Sequence, residues 1–300
     1  MRVIASAPGK VNLSLGVGET RADGYHTLDT LFQAVSLREH VSLLPAEKTR
    51  VTCTAEKGID ISLVPFDESN LAAQAVALVA ATVENPSAAH IHIHKEVPVA
   101  GGMAGGSADA AAALLAANRF YHAELTMSQL HDAATQLGAD VPFVLMGSTA
   151  QGSGIGDELV EVISRAELHW VMVLSREGLA TPKVFQRFDK LTKHKHQAFS
   201  SEPLITALQG ANPYDIAAYM GNDLQEAALS LQPDLEKVLR LERTHPSVLK
   251  AMVSGSGPTV MLLTEGSDHA IELCAELKNK GFKAFQCSSP APGARIELVE

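Results

Sequence analysis

Hydrophobic and polar positions alternate with a period of two through much of the first third of the chain, which predicts strands. Residues 1–6 and 10–17 read as two strands around Ala7-Pro8-Gly9, and Arg21-Ala22-Asp23-Gly24 reads as a turn. Strands follow at 28–37, 41–45 and 49–54. The pattern then changes period. Over 70–83, Asn70 is a good N-cap, and Leu71, Ala75, Leu78 and Val79 fall on one helical face. His90-Ile91-His92-Ile93-His94 alternates strictly and predicts another strand. Beyond a glycine-rich stretch, an alanine-rich helix is expected from Ser107 to about Tyr121 and a further helix over 127–137.

Residues 149–152 and 159–162 look extended around a Gly152–Gly156 bend, and 169–174 has the continuous apolar character of a buried strand. The remainder predicts helices near 202–209, 213–219, 223–229, 233–243 and 268–280, with strands near 250–254, 259–263 and 283–287. The polar 190–200 segment reads as a mobile loop.

Composition narrows the function classes. A chain of 300 residues exceeds the size at which one core usually stops growing, so two lobes with a cleft between them are expected. The division is drawn at 1–160 and 161–300. A net charge of −10 argues against a nucleic-acid partner, because phosphate backbones demand clustered Lys and Arg. No apolar run is long enough for a membrane span and the N-terminus lacks a secretory pattern, so a cytoplasmic protein is expected, a monomer or weak homodimer. Cys53, Cys274 and Cys287 are widely spaced, without a CxxC pair, and indicate neither a disulfide framework nor a thiolate zinc site.

Candidate chemistry concentrates in Pro98-Val99-Ala100-Gly101-Gly102-Met103-Ala104-Gly105-Gly106-Ser107-Ala108-Asp109, between a strand and a helix. Glycines let backbone N–H groups approach an anion, and the helix N-terminus adds positive potential. No lysine follows the last glycine, so this is not a Walker A loop; the protein-kinase motifs are also absent. The competing reading is a turn that only lets the helix pack close to the sheet. Asp109 reads as a partner of the helix dipole.

Lys10 and Asn12, two residues apart on an extended segment, project to one face, although a solvent-facing lysine is the plainer reading. Asp140 is the one charge in the apolar Leu137–Phe143 segment and is either a general base or a helix cap. Val253-Ser254-Gly255-Ser256-Gly257-Pro258-Thr259 is either a ligand-approaching loop or a hairpin turn, and the Gly152–Gly156 segment carries the same ambiguity. His90, His92 and His94 share a strand face, but no acidic partner is apparent nearby in sequence and no metal site is expected there. His194 and His196 read as solvated.

Taken together, Ala7–Leu13, Pro98–Ala110 and Val253–Val260 resemble, in order, the three motifs of the GHMP kinase superfamily. The resemblance implies an α+β fold with a ribosomal protein S5 domain 2-like N-terminal lobe and a ferredoxin-like C-terminal lobe. It implies ATP and Mg²⁺ as cofactors, with Gly101 through Ser107 cradling the phosphates and Pro98, Ala108 and the Lys95 backbone near the nucleotide. Ala108 stands where many members carry a second Ser, which leaves the hydroxyl contribution to Ser107.

Arg21–His26, Leu137–Pro142, Thr181-Pro182 with Phe185, and Asn222-Asp223-Leu224 resemble the branch whose substrate carries a cytidine diphosphate group. That resemblance implies phosphorylation of a polyol hydroxyl in the non-mevalonate supply of isoprenoid precursors. Asp140 would be the base, with Lys10 beside it keeping it charged and Asn12 bonding the polyol. Tyr25 and Phe185 would sandwich the cytosine, His26 would meet its edge, and Thr181 and Pro182 would complete the site. The alternative is a member acting on homoserine or a mevalonate derivative, which offers no base to stack. A non-catalytic sensor and a nucleic-acid-binding S5-like module are further readings, disfavoured by the retained Lys10 and Asp140 and by the acidic balance.

Overall fold

The computed structural model describes residues 1–175, 177–192 and 198–300. The chain opens with two long strands, β1 (Val3–Thr20) and β2 (His26–Pro45), paired antiparallel with register shifts near Pro8 and Asn12. Each was expected as two shorter strands. The bulges absorb the Pro8-Gly9 irregularity without ending the ladder. The turn at 21–24 forms as expected, with Gly24 N–H donating to the Arg21 carbonyl at 3.0 Å and a φ of 86° that favours glycine.

Next come β3 (Arg50–Ala55), α1 (Leu71–Ala80), β4 (Ala89–Lys95), α2 (Gly105–Phe120), α3 (Met127–Leu137) and α4 (Val141–Met146). Caps fix two of these helix starts. The Asn70 side chain accepts from Ala72 N–H, and Thr126 with Gln129 forms a reciprocal capping box. Strands β5 (Thr149–Ser153) and β6 (Glu158–Glu161) form a hairpin beside β2.

The second sheet starts at β7 (Leu168–Leu174), followed by α5 (Thr181–Thr192), α6 (Glu202–Gly210), α7 (Pro213–Tyr219), the short β8 (Gly221–Asn222) and α8 (Gln225–Leu231). A 3₁₀ turn at 233–235 leads through α9 (Glu236–Leu239) and α10 (Leu241–Thr244) to β9 (Val248–Val253), β10 (Val260–Thr264), α11 (Ser267–Asn279), β11 (Lys283–Ser289) and β12 (Arg295–Val299). Helix α5 runs into the segment expected as a mobile loop. The centre of that segment, with His194 and His196, lies outside the described residues.

The first sheet has the order β12-β1-β2-β4-β3 with α1 and α2 packed on one face, and the second has the order β11-β7-β10-β9. Counting β7, β9, β10 and β11 as one to four, that is the 4-1-3-2 order of a ferredoxin-like sheet, all antiparallel. The last strand, β12, returns to pair with β1, so residues 161–300 do not form a self-contained unit. Arg38 secures the return by donating to the Pro292 and Gly293 carbonyls at 2.8 and 2.7 Å.

Three apolar cores result. One lies between the first sheet and its helices, one between the second sheet and α5, α8 and α11, and a third joins the lobes through Leu13, Leu31, Val35, Trp170, Met172 and Met261. A buried polar chain crosses this join: Trp170 Nε1 donates to Ser289 Oγ at 2.7 Å, Ser289 Oγ to Gln33 Oε1 at 2.6 Å, and Gln33 Nε2 to Thr149 Oγ1 at 3.0 Å.

Strand alternation puts Ala89, Ile91, Ile93 and Lys95 on the buried face of β4. Lys95 Nζ therefore ends inside the first lobe, 2.6 Å from Asp109 Oδ2 and 2.8 Å from Glu39 Oε1. Asp109 is thus a buried counter-ion rather than the expected dipole partner, and the Lys95 ammonium is engaged inside the core. Burial works against the lysine charge, but Asp109 and then Glu39 more than offset it and hold its pKa above the ordinary value. Burial first, and Asp109 second, push Glu39 well above the carboxylate range, while burial lifts Asp109 to about 6 against the pull of Lys95.

Both acids thus bind protons more tightly folded than unfolded, and the triad loses stability as pH rises from the unfolded carboxylate range through the folded values. Lys95→Met removes the one cation and is expected to cost about 3–5 kcal/mol near neutral pH. Denaturant titrations should give a smaller loss at about pH 5 than at about pH 8, because protonation relieves the stranded carboxylates. A loss independent of pH would contradict this account.

Candidate active site

Both ends of the Pro98–Ala104 loop are anchored. The Lys95 triad fixes the strand before it and the helix after it, and a Cβ on Gly105 would lie 3.0 Å from Glu39 Oε1. Gly105 is therefore glycine for packing, which was the competing reading of the motif. The middle of the loop docks elsewhere. Lys10 N–H donates to the Met103 carbonyl at 3.0 Å, and Ser254 Oγ donates to the Gly102 carbonyl at 3.3 Å. Gly102 has φ 75°, and a Cβ there would sit 2.5 Å from the Ser254 carbonyl oxygen. The loop ends at Ala104 in the left-handed conformation, φ 57°, where α2 begins. The helix starts two residues before the expected Ser107 and has no side-chain cap. Its first N–H groups are thus left for an anion or for solvent.

These contacts bring three segments distant in sequence to one cleft of about 760 Å³. Gly102, Ala104 and Ser107 line it, as do Lys10, Asn12 and Asp140. The Gly255-Ser256 turn lines it too, with Gly255 beside Asn12 and Gly102. Lys10 is buried, contrary to the plainer reading. Its Nζ lies 3.6 Å from Asp140 Oδ1, donates to Asn12 Oδ1 at 2.9 Å and stands 4.9 Å from the Phe32 ring centre. Asn12 Nδ2 in turn donates to Thr30 Oγ1 at 2.7 Å, and Thr30 Oγ1 donates to the Ser14 carbonyl at 2.7 Å. Asp140 occupies the N-cap position of α4, but its side chain makes no cap bond and instead faces Lys10. The carboxylate is about one-third exposed and open to the cleft.

The far end of the cleft carries Tyr25, His26, Thr181, Pro182 and Phe185. His26 is buried and its ring stacks on Phe185 at 5.3 Å with 23° between planes, while Tyr25 is 62% exposed. His26 Nε2 lies 2.8 Å from Asp189 Oδ1 and 3.1 Å from Thr20 Oγ1. Thr181 Oγ1 and Ser256 Oγ are 2.8 Å apart, joining α5 to the third motif. Asn222 Nδ2 holds that motif's turn through the Val253 and Gly255 carbonyls at 2.8 and 2.7 Å. The Gly152–Gly156 bend is a hairpin turn that adds Ile155 to the rim.

Not every expected residue reaches the cleft. Met103 is fully buried in the inter-lobe core and meets its surroundings through its carbonyl. Ala108 is fully buried and its N–H is already used by the Ala104 carbonyl at 2.9 Å, so it has nothing to offer a phosphate. Pro98 and Gly101 line a separate hollow of about 100 Å³ with the loop after β3. Gly106 lies beside Leu71, at the cradle's edge. Asp189 and Gln186 line the cleft but were missed; their spacing from Phe185 and Pro182 on one helix, four residues in each case, was the available signal.

The fold and the paired features of the cleft define a two-lobed small-molecule kinase class: an anion-receptive helix end and a Lys–Asp couple that line one cleft. The sequence matches the GHMP kinases N terminal domain over residues 70–148 and the GHMP kinases C terminal domain over 204–284. A curated relative, the 4-diphosphocytidyl-2-C-methyl-D-erythritol kinase of Rhodococcus jostii (strain RHA1), is 45% identical over 98% of this chain and 94% of its own. A crystal structure of 4-(cytidine 5'-diphospho)-2C-methyl-D-erythritol kinase superposes with a TM-score of 0.78 at 30% identity, covering 97% of this chain and all of that one. Homoserine kinase from Cytophaga hutchinsonii, at 18% identity and a TM-score of 0.75 over 99% of this chain and 97% of its own, shares the fold. The chain belongs to the GHMP kinase family.

The Gly102–Ser254 junction can be tested directly. Gly102→Ala forces a left-handed non-glycine residue against a backbone oxygen and should cost roughly 1–3 kcal/mol of stability. Kinase activity at saturating acceptor should show a raised KM for ATP. An unchanged KM and an unchanged thermal midpoint would mean that the junction does not shape the cradle.

Proposed function

We propose that the protein transfers the γ-phosphoryl group of ATP to the 2-hydroxyl of 4-diphosphocytidyl-2-C-methyl-D-erythritol, releasing ADP. The observation that carries this reading is that one cleft holds both the α2 N-terminus beside Ser107 and the Lys10–Asp140 couple, and extends to the His26–Phe185 stack. The first feature suits a polyphosphate, the second a hydroxyl acceptor and the third a flat base.

Asp140 takes the proton of the acceptor hydroxyl. The freed oxygen bonds to the γ-phosphorus as the bond from that phosphorus to the β–γ bridging oxygen breaks, and the electron pair leaves with ADP. Lys10, held by Asn12 and flanked by Phe32, is a fixed cation beside the reacting oxygen, so its stabilisation requires little rearrangement. Asn12, which lines the cleft and holds Lys10, is the proposed contact to the polyol. Backbone amides at the start of α2 and the Ser107 hydroxyl take the phosphates. Mg²⁺ accompanying ATP would neutralise phosphate charge, and Ser107 and Asp140 are the residues beside the phosphate end that could hold it.

At the far end, Tyr25 and Phe185 are the proposed stacking faces for the cytosine, and His26 meets its edge. A homoserine or mevalonate acceptor would leave this end unused. No helix among the described residues is long and apolar enough to cross a membrane.

Product analysis after incubation with ATP and each candidate acceptor tests the reading. Phosphorylated cytidyl product is expected, with negligible turnover of homoserine or mevalonate. The reverse preference would overturn the substrate assignment and leave kinase chemistry standing. Asp140→Asn should reduce kcat by about 10²–10⁴-fold with the KM for ATP within a few-fold of wild type. Near-normal turnover would remove Asp140 as the base. Tyr25→Ala should raise KM for the cytidyl acceptor by about tenfold, in line with roughly 1–3 kcal/mol for a lost base stack, and leave KM for ATP unchanged. Equal effects on the two substrates would remove the stacking role.

A further inference from the structure

The histidine-bearing face of β4 takes no part in the proposed reaction, and the fold gives it acidic neighbours that its local sequence reading overlooked. Strand β3 runs parallel to β4, and its threonines interleave with the histidines. Thr52 Oγ1 lies 2.8 Å from His90 Nε2 and 2.9 Å from His92 Nδ1; Thr54 Oγ1 lies 3.2 Å from His92 Nε2 and 3.0 Å from His94 Nδ1. Both nitrogens of His92 and the Nε2 of His90 are therefore engaged within the ladder. His94 differs, because its ladder bond uses Nδ1 and leaves Nε2 directed at carboxylates. That Nε2 is 3.6 Å from Glu56 Oε1, and Glu56, His94 and Glu96 each present one ligand atom within 4.8 Å of the others.

His40 is the direct cross-strand partner of His94 and its Nε2 lies 3.5 Å from Glu96 Oε1, but it stands outside the group of three. Two ligand atoms bound tetrahedrally at about 2.1 Å from zinc sit about 3.4 Å apart, close to the His94–Glu56 separation. An imidazole with two carboxylates suits zinc and its transition-metal neighbours better than Mg²⁺, which prefers an octahedron of oxygens and retains its waters. The Thr54 bond to Nδ1 is the outer contact that orients a metal-binding imidazole.

We propose that His94, Glu56 and Glu96 form a surface site for a divalent transition-metal ion of the zinc type, separate from the catalytic cleft. The ion would join the residue that follows β3 to the end of β4. Its position has a mechanical consequence. Glu56 N–H already donates to the Lys95 carbonyl at 2.9 Å, and the chain just beyond, Gly58 to Leu63, faces Pro98 and Gly101 across the smaller hollow. A bound ion would fasten this wall at its root.

Calorimetric titration of the untagged full chain with zinc chloride, in excess Mg²⁺, tests the proposal. One saturable event at a 1:1 ratio is expected, weakened at least tenfold by His94→Ala and by Glu96→Gln, and about tenfold by Thr54→Val. His90→Ala should bind as wild type. Zinc should raise the thermal midpoint of the wild type and not that of His94→Ala, whose kcat without zinc should match the wild type. Absence of saturable binding, wild-type affinity in both His94→Ala and Glu96→Gln, or equal loss in His90→Ala would overturn the site.

Discussion

The buried triad of Lys95, Glu39 and Asp109 is the constraint on which the cleft depends. It links β4 and α2, the elements that deliver and receive the glycine-rich loop, to β2 at one point. A cation in the core is costly by itself, and so are two carboxylates, so each is tolerated only while the others are present. Asp109 Oδ1 has no hydrogen-bond partner, and Glu39 Oε1 approaches Lys95 without hydrogen-bond alignment. Packing apolar residues at the same positions would hold the lobe at least as well. What the charged cluster adds is directionality. An ammonium between two carboxylates resists sliding of helix against strand, and such sliding would move the start of α2 away from Lys10.

With the loop's ends fixed, its middle is positioned by segments from both lobes. Met103 through its carbonyl meets the first motif, Gly102 through its carbonyl meets the third, and Asn222 holds the third motif's own turn. None of these bonds uses a group that the proposed reaction needs. Backbone groups with the Ser254 and Asn222 side chains therefore do the scaffolding, and none of it falls to the side chains of Lys10, Asp140 or Ser107. The inter-lobe core and the Trp170–Ser289–Gln33–Thr149 chain make the lobes one packed body, so the cleft lies on a rigid seam.

Much of this was legible before the structure, for identifiable reasons. Asn70 and the Thr126–Gln129 box carry local signals that tertiary contacts do not override, and α1 and α3 start where expected. The alternation through His90–His94 gave β4, and extending it one step would have placed Lys95 on the buried face with Ile91 and Ile93. What local patterning could not supply was partnership. Glu39 and Asp109 meet Lys95 only through sheet register and helix packing. Arg295–Val299 reads as a strand only because β1 offers it an edge, since every one of its residues is exposed. Helix α5 was missed because few of its residues are apolar and only Val184 and Phe188 are fully buried. The glycine motif mixed two jobs: Gly105 makes room for the Glu39 and Lys95 side chains, Gly102 both docks against the Ser254 carbonyl and lines the cleft, and Ala104 and Ser107 border the cleft.

The two aromatic positions at the far end divide their labour by how firmly each is held. His26 is buried, stacked on Phe185 and bonded to Asp189 and Thr20, so its ring orientation is set before any ligand arrives. A carboxylate at Nε2 favours the tautomer with its proton there, which leaves Nδ1 as an acceptor. Tyr25 follows the left-handed Gly24 at the tip of a two-strand turn and is mostly exposed, so its ring can move onto a base from the solvent side. A rigid polar edge discriminates between bases, because a mismatched partner leaves a buried group unpaired, whereas a mobile aromatic face adds affinity with little regard to identity. Under the proposed function, selectivity for the base should therefore reside in the His26–Asp189 pair, and strength of binding in Tyr25.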